Sequence, residues 1–232
     1  MDYPDYADDS LRNGTYAGLP IAHAPEGDDG PRELPAAEAA AWRIGVDWDG
    51  GRKRFEELFL RFAGTVDTTK VAALIIGNWG NAYESDSSEA VRLLTEHAGR
   101  LPALRTLYLG AIPSEEAEIS WIQQSDVTPL LTAFPLLERL EVRGGSGLGL
   151  RPVRHEHLRD LTVESGGLPA GVIRSVAEST LPALEHLELW LGVSEYGGDA
   201  TLADMQGILS GERLPALRHL GLQDSEIQDE IA

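Results

Sequence analysis

Apolar residues recur along the chain in a single frame, L-x-x-L-x-x-L-x-L. Leu101, Leu104, Leu107 and Leu109 fill it, as do Leu181, Leu184, Leu187 and Leu189, and Leu214, Leu217, Leu220 and Leu222. Phe134, Leu137, Leu140 and Val142 make a further copy, and His155, Leu158, Leu161 and Val163 a degenerate one. Val71, Leu74 and Ile76 keep part of the frame, and the earliest copy is read as the doublet Ile44 and Val46. The closing apolar-x-apolar doublets begin at positions 44, 74, 107, 140, 161, 187 and 220, an average period of about 29 residues.

The frame predicts its own local structure. Alternation with period 2 makes each doublet a short strand with one buried side. A single such strand cannot bury that side, so stacked copies must share a core in a parallel sheet. Pro102, Pro135, Pro182 and Pro215 occupy the same slot in their copies. There they end a preceding helix and aim the chain at the next strand. Between doublets, Phe55, Leu58, Phe59 and Phe62 follow helical spacing, as do Val91, Leu94 and Ala98 behind a capping box at Asp86 and Glu89. Thr128-Pro129 reads as N-cap and first turn of a short helix. Val172, Ile173 and Val176 mark another helix, and Leu202, Met205 and Leu209 one more. Only the stretch between the doublets at 140 and 161 is too short for a helix, and Gly144–Gly149 predicts an irregular turn there. Strand and helix alternating in this way give an α/β solenoid.

Composition narrows the chemistry. The 232 residues contain no cysteine, which removes disulfides, zinc–thiolate sites and a cysteine nucleophile and favours a reducing, cytoplasmic location. A formal charge of −19 opposes binding to nucleic acid or to an anionic membrane. The one basic cluster, Arg52-Lys53-Arg54, reads as a solvated helix start. The first residues lack the apolar core of a signal peptide, and no stretch is long and apolar enough for a transmembrane helix. Gly144–Gly149 fits no phosphate-loop pattern, and no nucleophile–base pair is visible, so no catalytic residue and no cofactor is assigned.

Residues 42–232 form the repeat domain in this reading. The stretches Trp42–Gly51, Tyr83–Glu89, Glu118–Asp126 and Leu187–Thr201 resemble those of a bacterial leucine-rich-repeat family, in particular one uncharacterised subfamily, over about residue 16 to the end. The resemblance implies a right-handed horseshoe with its parallel sheet on the concave face and helices on the convex face. It also implies a protein-binding surface and an accessory role beside modification enzymes. The chain departs from the pattern where an asparagine often follows the strand. Trp79, Ile112, Gly145, Gly166, Gly192 and Ser225 stand there, so the inner hydrogen-bond ladder must close differently.

Residues flanking the buried doublets then face the concave side. One row is Arg43, Ala73, Thr106, Arg139, Asp160, His186 and His219. The next is Gly45, Ile75, Tyr108, Glu141, Thr162, Glu188 and Gly221, and the third is Asp47, Gly77, Gly110, Arg143, Glu164, Trp190 and Gln223. Tyr108, Arg139, Glu141, Arg143, Asp160, Glu164, His186, Glu188, Trp190, His219 and Gln223 are therefore candidate contacts for an unidentified protein partner. Asp160, His186 and His219, consecutive in one row with Glu188 beside them, have the composition of a metal site or of ordinary solvent-facing groups. His155, in a leucine slot, is expected to be part-buried, and Trp121 to belong to the core.

The ends depart from the frame. Residues 1–41 carry nine acidic residues against Arg12 and Arg32 and are expected to be mostly mobile, with Tyr16–Ile21 as part of a cap. The segment Ser225–Ala232 begins a return helix and breaks off. It reads as the edge of a longer solenoid in preference to an edge covered by a partner. Three function classes result: a non-enzymatic binding scaffold, a structural or accessory subunit of an enzyme complex, and a metal-dependent enzyme. The sequence favours the first.

Overall fold

Each aliphatic doublet forms a strand, and the strands lie side by side in the order in which the chain writes them. The computed structural model describes residues 13–25 and 33–227. In these, β1 (Thr15–Tyr16), β2 (Leu19–His23) and β3 (Ala41–Ile44) precede α1 (Gly51–Thr65), β4 (Ala73–Ile76) and α2 (Ser88–Glu96). Then come β5 (Thr106–Leu109), α3 (Thr128–Ala133), β6 (Arg139–Arg143), β7 (Asp160–Glu164), α4 (Ala170–Glu178), β8 (His186–Trp190), α5 (Leu202–Ser210) and β9 (His219–Gln223). The result is an α/β fold with one open nine-stranded sheet in the order β1 to β9, antiparallel between β1 and β2 and parallel elsewhere.

Register fixes the core. Trp42, Leu74, Leu107, Leu140, Leu161, Leu187 and Leu220 stand opposite one another across successive strand pairs. With the apolar stripes of the helices they form a single buried cluster, in which Leu220 is only part-buried on the last strand. The first copy differs from expectation by two residues: Ile44 pairs with Ile76, so its doublet is Trp42 and Ile44. An indole takes the leucine slot, held by a 3.0 Å hydrogen bond from its Nε1 to the Ala37 carbonyl. Arg43 therefore moves to the row of Ile75 and Tyr108, and Gly45 to the row of Gly77.

The recurring prolines sit at the second position of tight turns. In each, the leucine or phenylalanine before proline accepts a hydrogen bond from the residue three on: Leu104 to Leu101, Leu137 to Phe134, Leu184 to Leu181 and Leu217 to Leu214, at 3.0–3.1 Å. His155 builds its version of this turn with its side chain. Its Nδ1 accepts the Leu158 N–H at 3.0 Å while Nε2 lies 3.0 Å from the Phe134 carbonyl. The residue is buried, deeper than the sequence suggested.

At the other end of the strands, backbone closes the ladder that asparagine side chains do not. Val46 bonds to Asn78, Gly144 to Glu164, Leu168 to Leu191 and Leu191 to Gln223, at 2.8–2.9 Å. Gly192 permits the tightest of these approaches. Its φ is +66°, and a Cβ there would lie 2.0 Å from the Gly166 carbonyl oxygen.

Helix starts differ in detail from expectation. Ser87, not Asp86, is the cap position of α2; Asp86 accepts the Ser88 N–H, and Glu89 pairs with Arg92 instead of closing a capping box. Val127 caps α3, with Asp126 accepting the Thr128 N–H at 2.9 Å. The true capping box is at α5, between Thr201 and Asp204. No helix joins β6 to β7. The missing helix leaves a cleft of about 700 Å³ beside α3, lined by Leu131, Pro135, Arg151 and His155 among others.

Residues 13–25 and 33–41 are built into the fold, with β2 running parallel to β3. The expected mobility of the remaining leader, and most of the segment Ser225–Ala232, lie outside the described residues. Among the described residues, no helix is long and apolar enough to cross a membrane.

Burial holds the His155 imidazole below its ordinary pKa. The unfolded chain therefore takes up a proton that the folded chain resists as pH falls through about 6.5, and native stability declines on acidification. Replacing the ring removes that component. Thermal melts at about pH 7.5 and about pH 5.5 should show a smaller acid-induced fall in Tm for His155→Leu than for the parent.

Candidate functional site

Strand side chains that do not enter the core define the open face of the sheet, and its two halves differ. On β2 to β5, apolar residues are covered. Tyr16, Ala41, Ala73, Ile75, Tyr108 and Ala111 form a second buried cluster with Leu19 and Ile21. Tyr16 on β1 lies across the face, its ring centroid 6.1 Å from that of Tyr108. Its Oη donates to Glu141 Oε1 at 3.3 Å. Tyr108, expected as an exposed contact, is therefore buried, because the hairpin of β1 and β2 folds over it. The leader supplied that cover, and its signal in the sequence was only the apolar Tyr16–Ile21 run.

The polar half begins at β6. Arg139 lies 2.8 Å from Asp160 and 3.7 Å from Glu141. Burial pushes the Glu141 carboxyl up to about 7, against the opposing pull of Arg139, and burial also raises the Tyr16 phenol. Arg143 and Glu164, expected at the surface, are both buried and pair at 2.8 Å. They lock β6 to β7 and offer little to a partner.

On β8 and β9 the candidates converge. His186 and His219 stack with ring centroids 4.3 Å apart and an interplanar angle of 5°. Glu188 Oε1 accepts from Trp190 Nε1 and from Gln223 Nε2, each at 2.9 Å. Its Oε2 lies 3.8 Å from His186 Nε2. Nδ1 of His186 is 3.2 Å from Asp160 Oδ1, yet it is buried without the alignment of a hydrogen bond. Ligand atoms of His186, Glu188 and His219 lie within 4.8 Å of one another. The sequence places Asp160 in one row with the two histidines and Glu188 beside them; the structure groups Glu188 with the histidines and sets Asp160 behind His186.

A second surface escaped the sequence reading. The loops from strand to helix are 45–50, 77–87, 110–127, 165–169 and 191–201. They carry Asp47, Asp49, Glu84, Asp86, Glu115, Glu116, Glu118, Asp126, Glu195 and Asp199, and no lysine, arginine or histidine. The same loops expose Trp48 (63%), Tyr83 (45%), Trp121 (50%) and Tyr196 (47%). Trp121 is thus at the surface and not in the core, against Tyr83 at a centroid distance of 6.1 Å. The loops are joined by backbone bonds from Asn81 to Trp48, from Gln123 to Ala82 and from Val193 to Gly166. Nearby, His23, Arg43, Asp47, Asn78 and Glu116 line a polar cleft of about 500 Å³. The available signal was Trp48 between two aspartates, a poor core position, and the absence of basic residues from every such loop. At the opposite ends of the strands, Arg105, Glu138, Arg159, Glu185 and Arg218 alternate in sign, with Arg159 and Arg218 at 2.7 and 3.0 Å from Glu185.

Because Glu141 titrates near 7 when folded and near 4.5 when unfolded, its contribution to stability is full below about pH 4.5 and is lost as pH rises through about 7. Glu141→Gln should therefore gain stability relative to the parent between about pH 5 and about pH 8, by on the order of 3 kcal/mol at most. Denaturant unfolding at both pH values checks the sign.

No family model and no curated protein matches the chain. A solved structure does: the crystal structure of a Bacteroides fragilis protein from a structural genomics programme is similar at a TM-score of 0.74 and 31% identity, over 84% of this chain and 54% of that one. The chain thus spans about half the length of that protein, with which it shares the α/β fold.

Proposed function

We propose that the chain is a non-enzymatic protein-binding scaffold on a right-handed leucine-rich-repeat solenoid, with its sheet on the concave face and its helices on the convex face. Support for the solenoid comes from one strand per sequence copy and the unbroken sequential strand order. The reach of Tyr16 to Glu141 adds to it. Five strand spacings, from β1 to β6, span about 24 Å on a flat sheet, far beyond a tyrosine side chain, so the sheet or its hairpin curls towards the open face.

The observation that carries the binding reading is the set of half-exposed aromatics on loops without a single basic residue. Tryptophan and tyrosine anchor interfaces, and surrounding carboxylates select partners of opposite charge. The partner is a protein presenting a basic surface, held at the carboxyl ends of the strands and against Trp190 on the adjoining open face. The cysteine-free composition agrees with a cytoplasmic setting.

The test is affinity capture from the source cells with mass spectrometry, using the full chain and a Tyr83→Ala, Trp121→Ala double variant. The parent should retain a stoichiometric basic protein that salt releases, since screening weakens exposed charge pairs. The variant should lose at least roughly tenfold of it without a fall in Tm. Equal capture by both proteins overturns the assignment of this surface.

A further inference from the structure

The geometry points to a divalent-cation site of the zinc type, formed by His186, Glu188 and His219 on the open face where β8 meets β9. It needs no protein partner, although Trp190 of the binding surface above also holds Glu188. Register creates it: His186 stands opposite His219, and Glu188 opposite Gly221. His186 and Glu188, two residues apart on one strand, point the same way. The ligand atoms fall within 4.8 Å of one another. Zinc with nitrogen and oxygen donors at about 2.0–2.2 Å needs them about 3.3 Å apart. Binding therefore requires the side chains to rotate towards one another.

The surrounding groups gather the three ligands, and at least one of the two stacked rings must turn for both imidazole nitrogens to face one cation. Both hydrogen bonds to Glu188 arrive at Oε1, which leaves Oε2 facing His186 Nε2 at 3.8 Å. Behind His186 stands Asp160, itself anchored by Arg139 at 2.8 Å. A carboxylate at Nδ1 with Nε2 turned outward is the outer-shell arrangement that orients metal-binding imidazoles. His186 Nδ1 is buried and lacks an aligned hydrogen bond although Asp160 Oδ1 is only 3.2 Å away. A turn of the ring that places Nδ1–H on Asp160 leaves Nε2 as the nitrogen available to the ion. His219 is positioned by stacking on His186. Gly221 keeps the floor open, since a Cβ there would stand 3.1 Å from Glu188 Cγ and 3.4 Å from His219 Nε2. Two imidazoles and one carboxylate leave a fourth position for water or a ligand oxygen, and nitrogen-rich sets favour zinc over manganese.

Calorimetric titration of zinc chloride into the full chain at about pH 7.5 tests the site. The parent should bind one zinc with Kd of about 1 µM, a free energy of roughly −8 kcal/mol. His186→Ala and His219→Ala should each weaken binding at least about tenfold, and Asp160→Asn by about tenfold through loss of orientation. His157→Ala, at an exposed histidine elsewhere, should change nothing. His219 is exposed, so its variant tests the site even if the His186 variant misfolds. No saturable binding up to about 100 µM zinc, or equal binding by the His219 variant, overturns the site.

Discussion

The lateral burial of one apolar doublet against the next is the constraint from which the rest of this structure follows. Trp42, Leu74, Leu107, Leu140, Leu161, Leu187 and Leu220 form one row across seven parallel strands. Burying each leucine contributes about 1.5–3 kcal/mol. A slip of one residue in any strand would turn its doublet into water and its polar neighbours into the core. The same constraint dictates the open face: once the leucines point inward, His186, Glu188 and His219 must point outward and stand beside one another. The site is a by-product of register before it is anything else.

The two ends of the strands solve different problems. Where the chain enters a strand, proline turns and the alternating Arg105, Glu138, Arg159, Glu185 and Arg218 row hold neighbours together. These ion pairs are solvent-exposed and add little each. Where the chain leaves a strand, loops of unequal length must cross to helices, and backbone bonds between neighbouring loops carry the ladder. The exposed aromatics and many of the carboxylates lie on those loops.

How far the sequence could be read follows from this division. The strands, their order and the helical stripes were legible because they repeat: Leu107, Leu140 and Leu187 announce one another. The first copy was misplaced by two residues because Trp42 fills its leucine slot, and no spacing rule distinguishes that indole from a surface one. His186, Glu188 and His219 could be listed as neighbours from register alone. Their mutual orientation depends on Trp190, Gln223, Asp160 and Arg139, whose rotamers the sequence does not encode in any local pattern. The burial of Tyr108 under Tyr16 was marked only by the apolar Tyr16–Ile21 run, because it joins residues 92 positions apart through a hairpin outside the repeat. The buried pair of Arg143 and Glu164 was missed because register alone places both on the open face and says nothing of what covers them.

The acidity of the strand-to-helix loops has a structural explanation that must be separated from a binding one. Helix amino termini carry partial positive charge and unsatisfied N–H groups, and carboxylates stabilise them. Asp126 on Thr128, Asp199 on Ala170 and Asp204 on Thr201 do this directly, with N–H to oxygen distances of 2.6–2.9 Å. Such contacts account for the carboxylates nearest the helices. They do not account for Glu115, Glu116 and Glu118, which stand well before the first turn of α3. Nor do they account for Trp48, Tyr83, Trp121 and Tyr196, whose exposed rings cost solvation and cap nothing. The helix dipole thus explains part of the charge and none of the aromatic surface, and the part it leaves over is what the proposed binding surface rests on.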